Sequence, residues 1–117
     1  MPDDGILVDE ITQMGYCAWY AYPVYRPRSF VTAGYQGTLG YGFATALGVA
    51  VANPDRPVVS INGDGGYLYT ANEWATAMEY QIPLVAVVFN DNRFANVHRQ
   101  QKEWFDERFI AADLVNP

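Results

Sequence analysis

Val58-Val59-Ser60-Ile61-Asn62-Gly63-Asp64-Gly65-Gly66 is the stretch whose reading decides the fold. An apolar run with β-branched residues gives way to a glycine-rich turn that carries one carboxylate. A second apolar run, Leu84-Val85-Ala86-Val87-Val88-Phe89, ends in Asn90-Asp91-Asn92. Between the two, Ala71 to Tyr80 reads as a helix. Thr70-Ala71-Asn72-Glu73 has the capping-box spacing at its start, with Glu73 read as a helix cap rather than a ligand, and Gln81-Ile82-Pro83 stops it. A strand, a helix and a strand joined by a right-handed crossover make the strands parallel. Asp64 and Asp91 then lie just past the carboxyl ends of two parallel strands, which is where open α/β sheets bind ligands.

Working outward, Gly5 to Asp9 reads as a short first strand and Thr12 to Ala21 as a helix. Pro23 to Pro27 is a loop. Phe30-Val31-Thr32 is a second short strand, followed by the glycine-spaced Gly34-Tyr35-Gln36-Gly37-Thr38-Leu39-Gly40. Tyr41 to Ala52 is a helix rich in small residues, suited to close packing on a sheet, and Asn53 to Pro57 is a turn. Asn96 to Phe105 reads as a last helix, and Ala111 to Pro117 as a tail without a closing strand. Strands alternating with helices predict an α/β fold: a three-layer sandwich with a mostly parallel sheet and helices on both faces. Residues 1–117 read as one domain, ending as if a further βα unit were missing.

Composition narrows the function classes. Half of the 117 residues are hydrophobic, so the chain can build a core. A net charge of −6 disfavours nucleic-acid binding, because phosphate backbones call for clustered Lys and Arg. A single cysteine, Cys17, rules out an internal disulfide and fits a cytoplasmic location. The apolar run near Val85 is too short to span a membrane. The chain holds nine Tyr, six Phe and three Trp, more than a small core hides. They form either a tyrosine-rich surface or a face for another domain or subunit.

The carboxylates suit a hard cation. Mg²⁺ takes oxygen ligands in octahedral geometry and bridges protein carboxylates to phosphates. Asp64 and Asp91 offer one carboxylate each, and the Arg93 carbonyl a third oxygen from the same loop. Gly65 and Gly66 lack Cβ and let the backbone approach phosphate oxygens. The helix start at Ile11-Thr12-Gln13 adds free amides, a hydroxyl and a side-chain amide. Gly-Asp-Gly alone is a common turn; its weight here comes from the flanking strands, the intervening helix and Asn90-Asp91-Asn92.

These residues resemble a known signature. Gly63-Asp64-Gly65 running to Asn90-Asp91 is similar to the thiamine-diphosphate motif, a Gly-Asp-Gly and an Asn-Asn pair separated by a helix and a strand. Gly37-Thr38-Leu39-Gly40-Tyr41-Gly42-Phe43-Ala44 resembles the Gly-Thr-Met-Gly-Tyr-Gly-Leu-Pro stretch of acetohydroxyacid synthase. The likeness spans Leu7 to Val97 and points to the C-terminal, diphosphate-binding domain of the pyruvate decarboxylase and acetohydroxyacid synthase superfamily. It implies Mg²⁺ held by Asp64, Asp91 and the Arg93 carbonyl, and a diphosphate lined by Thr12, Gln13, Gly65 and Gly66. It implies a pyrimidine ring held by the Gly37 carbonyl and the Leu39 amide, with the Leu39 side chain beneath the bend of a V-shaped cofactor. Without the family, Leu39 reads as a core leucine.

Phe94 and Ala95 fall on the cofactor side of the same loop. Asp91 replaces the family's second Asn, and Ala95 stands where glycine is frequent, at a point where a positive φ would strain alanine. Gly66 replaces a Ser or Ala, which on sequence alone is harmless. The resemblance assigns no catalytic residue here: the activating glutamate comes from a different domain, usually of a partner subunit. It implies a small 2-oxo acid substrate, a homo-oligomer, and no turnover by this chain alone. Two other readings stand beside it: a non-catalytic interaction module that keeps the fold, and a flavodoxin-like mononucleotide-binding domain that would leave Asp91 unexplained. His98, on a polar helix, reads as a surface histidine, Cys17 as a buried inert thiol, and Arg26 and Arg28 as solvated.

Overall fold

The computed structural model describes residues 1–116. Four strands, β1 (Ile6–Asp9), β2 (Phe30–Val31), β3 (Val58–Gly63) and β4 (Val85–Phe89), form one parallel sheet in the order β2-β1-β3-β4. The helices are α1 (Gln13–Ala21), α2 (Tyr41–Ala52), the single turn α3 (Asp64–Tyr67), α4 (Trp74–Glu79) and α5 (Ala95–Trp104). The predicted strand–helix alternation is the observed one. No helix among the described residues is long and apolar enough to cross a membrane.

Strand periodicity assigns the two faces. Ile6 and Val8 of β1 meet Ala46 and Ala50 of α2 and Val58 of β3 in the main core cluster. The small residues of α2 are what bring that helix down onto the sheet. Leu7 and Asp9 point to the opposite face, where the Trp19 indole N–H of α1 donates to the Asp9 carboxylate. A second cluster joins Phe43 and Leu47 of α2 to Ala77 of α4. The Phe43 ring lies 5.4 Å from that of Tyr67 and 4.8 Å from that of Trp74. Gly40 is the cap residue just before α2, and its φ of 83° lies in the left-handed region that glycine adopts without strain.

The stretch between β3 and β4 departs from expectation. Ala71–Glu73 is a 3₁₀ turn, and the α-helix begins only at Trp74. The capping box does not form. Thr70 Oγ1 points to the Gly40 carbonyl at 3.5 Å, and the Glu73 carboxylate accepts from Thr76 Oγ1 at 2.7 Å. With its hydroxyl drawn across to the start of α2, Thr70 caps nothing through its side chain. Cys17 is exposed rather than buried, because it lies on the outer side of α1. Ala95 opens α5 without a positive φ; Asn92 takes the left-handed conformation instead, at 58°. The Asn90 side chain accepts from the Asn92 amide at 3.1 Å and fixes that turn. Among the described residues the tail adds no strand, and Pro117 lies outside them. A single antiparallel bridge pairs Arg93 with Asp113, flanked by Phe94 N–H to Ala112 O at 2.7 Å and Leu114 N–H to Asn92 O at 2.8 Å.

Candidate functional site

β3 and β4 are adjacent and end in register, Gly63 beside Phe89, so Asp64 and Asn90 emerge side by side. Asp64 starts α3, with its side chain buried. A cavity of about 510 Å³ opens between the start of α1, α3 and the loop after β4. Thr12, Gln13, Leu39, Asp64, Gly65, Gly66, Asp91, Arg93, Phe94 and Ala95 all line it. Gly37 does not: a Cβ there would meet Ile11 Cδ1 at 3.4 Å, and Ile11 is the residue that faces the cavity. Leu39, far from being a core leucine, is exposed on the cavity wall.

Phe94 lies over Gly65. A Cβ on Gly65 would approach the Phe94 ring to 2.6 Å, so the glycine is required by this close packing as well as by any phosphate. His98 stacks on Phe109 with centroids 4.1 Å apart and lies 3.4 Å from the Arg93 guanidinium. It is half-buried behind the loop rather than free on the surface.

Sequence reading missed the centre of the oxygen cluster. Asn116 Nδ2 lies 2.7 Å from Asp64 Oδ2, 2.8 Å from Asn90 Oδ1 and 3.2 Å from Asn92 Oδ1. Three acceptor oxygens therefore converge on one donor, the kind of oxygen set a hard cation takes. Asp91 lines the same cavity, but its exposed carboxylate makes no hydrogen bond among the described residues. Among those residues no three His, Cys, Asp or Glu side chains cluster. A cation here would thus draw on no more than two carboxylates and complete its shell with amide, carbonyl or phosphate oxygens, the ligand mix that suits Mg²⁺. No local signal pointed to Asn116, which reaches the site from 52 residues beyond Asp64.

Two adjacent buried acidic residues, Asp9 and Glu10, lie at the end of β1. Burial pushes the Asp9 carboxyl above its ordinary range, against the indole hydrogen bond from Trp19, and among the described residues Asp9 Oδ1 has no hydrogen-bond partner. Burial also pushes up the Glu10 carboxyl, against hydrogen bonds from the Gly42 and Ile11 amides. Asp9 fell at the end of the first strand and Glu10 just past it, where nothing in the sequence marked them as special.

Known proteins match this architecture. Residues 10–117 fit the family model described as "Thiamine pyrophosphate enzyme, C-terminal TPP binding domain". The chain is 36% identical over 110 residues to the acetolactate synthase isozyme 1 large subunit of Escherichia coli K12, covering 94% of this chain and 20% of that protein. It is 38% identical over 98 residues to a probable 2-ketoarginine decarboxylase of Pseudomonas aeruginosa, covering 83% of this chain and 18% of that protein. The chain thus spans about a fifth of the length of these curated relatives. Among solved structures, a thiamine diphosphate-dependent 4-hydroxybenzoylformate decarboxylase of Rhodococcus jostii RHA1 superposes with a TM-score of 0.88 at 28% identity, covering 99% of this chain and 22% of that one. A parallel sheet with oxygen-bearing loops at adjacent strand ends, matched by sequence and by shape, places the chain in the thiamine pyrophosphate enzyme family, as the C-terminal TPP-binding domain of acetolactate synthase-like enzymes.

Proposed function

We propose that the chain binds thiamine diphosphate through Mg²⁺, as the diphosphate-binding part of an acetolactate-synthase-like enzyme that decarboxylates a 2-oxo acid or joins the product to a second carbonyl. The observation that carries this reading is the convergence of Asp64, Asn90 and Asn92 side-chain oxygens at the ends of β3 and β4. Asp64, Asp91 and the Arg93 carbonyl would hold the cation. Thr12, Gln13, Gly65 and Gly66 would line the diphosphate, with Phe94 and Ala95 closing the same side. Gly37 and Leu39 would receive the pyrimidine. Bound there, the cofactor would supply the electron sink that stabilises the carbanion left by decarboxylation.

The activating glutamate belongs, in this reading, to another domain or to a partner subunit, and the isolated chain performs no turnover. Exposed Tyr20, Tyr25 and Trp104 support a surface that meets such a partner, and a homo-oligomer is the assembly proposed. The exposed free thiol of Cys17 supports a cytoplasmic setting. Calorimetric titration with thiamine diphosphate, with and without Mg²⁺, tests the proposal. Metal-dependent binding that Asp64→Ala abolishes is the expected result. Equal binding with and without the metal, or none at all, would overturn it.

A further inference from the structure

Glu10 is only 1% exposed and meets β3, the start of α2 and the Gly66 turn. Its amide donates to Ile61 O of β3 at 2.9 Å. Its carboxylate accepts from the Ile11 amide through Oε1 and from the Gly42 amide through Oε2, each at 3.0 Å. Gly42 lies in the first turn of α2, so the carboxylate caps the helix that follows the Gly37–Gly40 segment. Behind it stands the diphosphate turn: a Cβ on Gly66 would come within 2.9 Å of both Glu10 Cγ and Cδ. A Cβ on Gly42 would come within 3.0 Å of Glu10 Cβ. The glycine at 66, harmless on sequence alone, is thus the partner that leaves room for Glu10.

We infer that Glu10 is a positioning residue for the cofactor: its buried carboxylate is a strut that fixes the Gly37–Leu39 segment at a set distance from the Gly65–Gly66 turn. The inference rests on the thiamine diphosphate reading, because a ligand that spans both segments is what makes their separation matter. Inorganic pyrophosphate needs the turn and the start of α1 but not the Gly37–Leu39 segment, whereas the whole cofactor needs that segment as well. Loss of the strut therefore weakens the cofactor and spares pyrophosphate, which a general loss of structure does not do.

The test measures Mg²⁺-dependent affinity for thiamine diphosphate and for pyrophosphate, with thermal unfolding alongside, in the wild type, Glu10→Gln, Glu10→Ala, Gly66→Ala and the Glu10→Ala/Gly66→Ala pair. Glu10→Gln keeps the bulk and sets an NH₂ against one amide donor. It is expected to weaken the cofactor by about tenfold, the fold-change of one charge-assisted hydrogen bond, and to leave pyrophosphate within about threefold. Gly66→Ala is expected to weaken both ligands, and the double variant to recover pyrophosphate binding, because removing the Glu10 side chain vacates the space the new methyl needs. If Glu10→Ala does not fold, Glu10→Gln decides alone. Parallel loss of both ligands in Glu10→Gln, or no loss of either, overturns the inference while wild-type binding keeps the cofactor reading. A wild type that binds pyrophosphate but not the cofactor overturns both.

Discussion

The β1–α2–β3 region and the β4–α5 region belong to one sheet yet are built by opposite rules. In the first, Ile6, Val8, Phe43, Ala46 and Val58 are almost wholly buried, and even the polar residues Ser60 and Asn62 are sealed. In the second, Val85, Val87 and Phe89 stand exposed on the sheet face, and α5 buries no residue at all. Stability is concentrated where the strands are covered on the α2 side. The candidate site lies on the seam, at the carboxyl ends of β3 and β4, where one wall is rigid and the other is a loop held by a few hydrogen bonds. Sites positioned by rigid elements but carried on loops follow from this division.

The largest expected effect breaks the first region. Phe43 is wholly buried and packs against both Tyr67 and Trp74. Phe43→Ala should cost about 3–5 kcal/mol, from lost transfer energy and an unfilled cavity. Chemical denaturation measures it. A loss below about 1 kcal/mol would mean that the α2–α4 cluster contributes little, and that the contrast between the regions is false.

Alternating runs, turn residues and glycine spacing made the strand–helix order legible, because each is a local signal with a fixed period. The Asp64 and Asp91 loops were legible for the same reason: strands of equal polarity carry their ends to one edge. What stayed hidden was set by contacts distant in sequence. Thr70 looked like a helix cap, but its hydroxyl is turned toward Gly40, thirty residues away. Asn116 enters the oxygen cluster only because the tail folds back along the Asn92–Phe94 loop. Glu10 lies one residue past the strand read from Gly5 to Asp9, and only the approach of Gly42 and Gly66 shows what it holds.

An intermediate effect probes the acidic residues at the end of β1. Asp9 is held above its ordinary pKa by burial, and Oδ1 has no hydrogen-bond partner among the described residues. The folded state therefore holds the proton more readily than the unfolded state. Asp9 does not oppose folding below the unfolded carboxylate range, and stability falls as pH rises from that range through the elevated value. Asp9→Asn keeps an acceptor for Trp19 and removes the charge. The variant should be more stable than the wild type at neutral pH, with a difference that shrinks on acidification. A difference in denaturation midpoint that stays constant across pH would show that the Asp9 charge carries no penalty.

The smallest effect gives the sharpest comparison, because the chemistry is held fixed and only the region changes. Val58 and Val85 are strand valines, on the neighbouring strands β3 and β4. Val58 is 2% exposed and Val85 58%. Val58→Ala removes two buried methyl groups and should cost about 2 kcal/mol, transfer energy plus the residual cavity. At Val85 the same methyls already meet solvent, so truncation forfeits little transfer energy and leaves no void. Only the β-propensity difference remains, which weakens on an edge strand, and Val85→Ala should cost less than about 0.5 kcal/mol. The ratio of the two measured losses therefore reports how unevenly the sheet is covered. Equal losses would require Val85 to be covered in solution by protein that packs on β4, and would move that strand from the exposed region to the buried one.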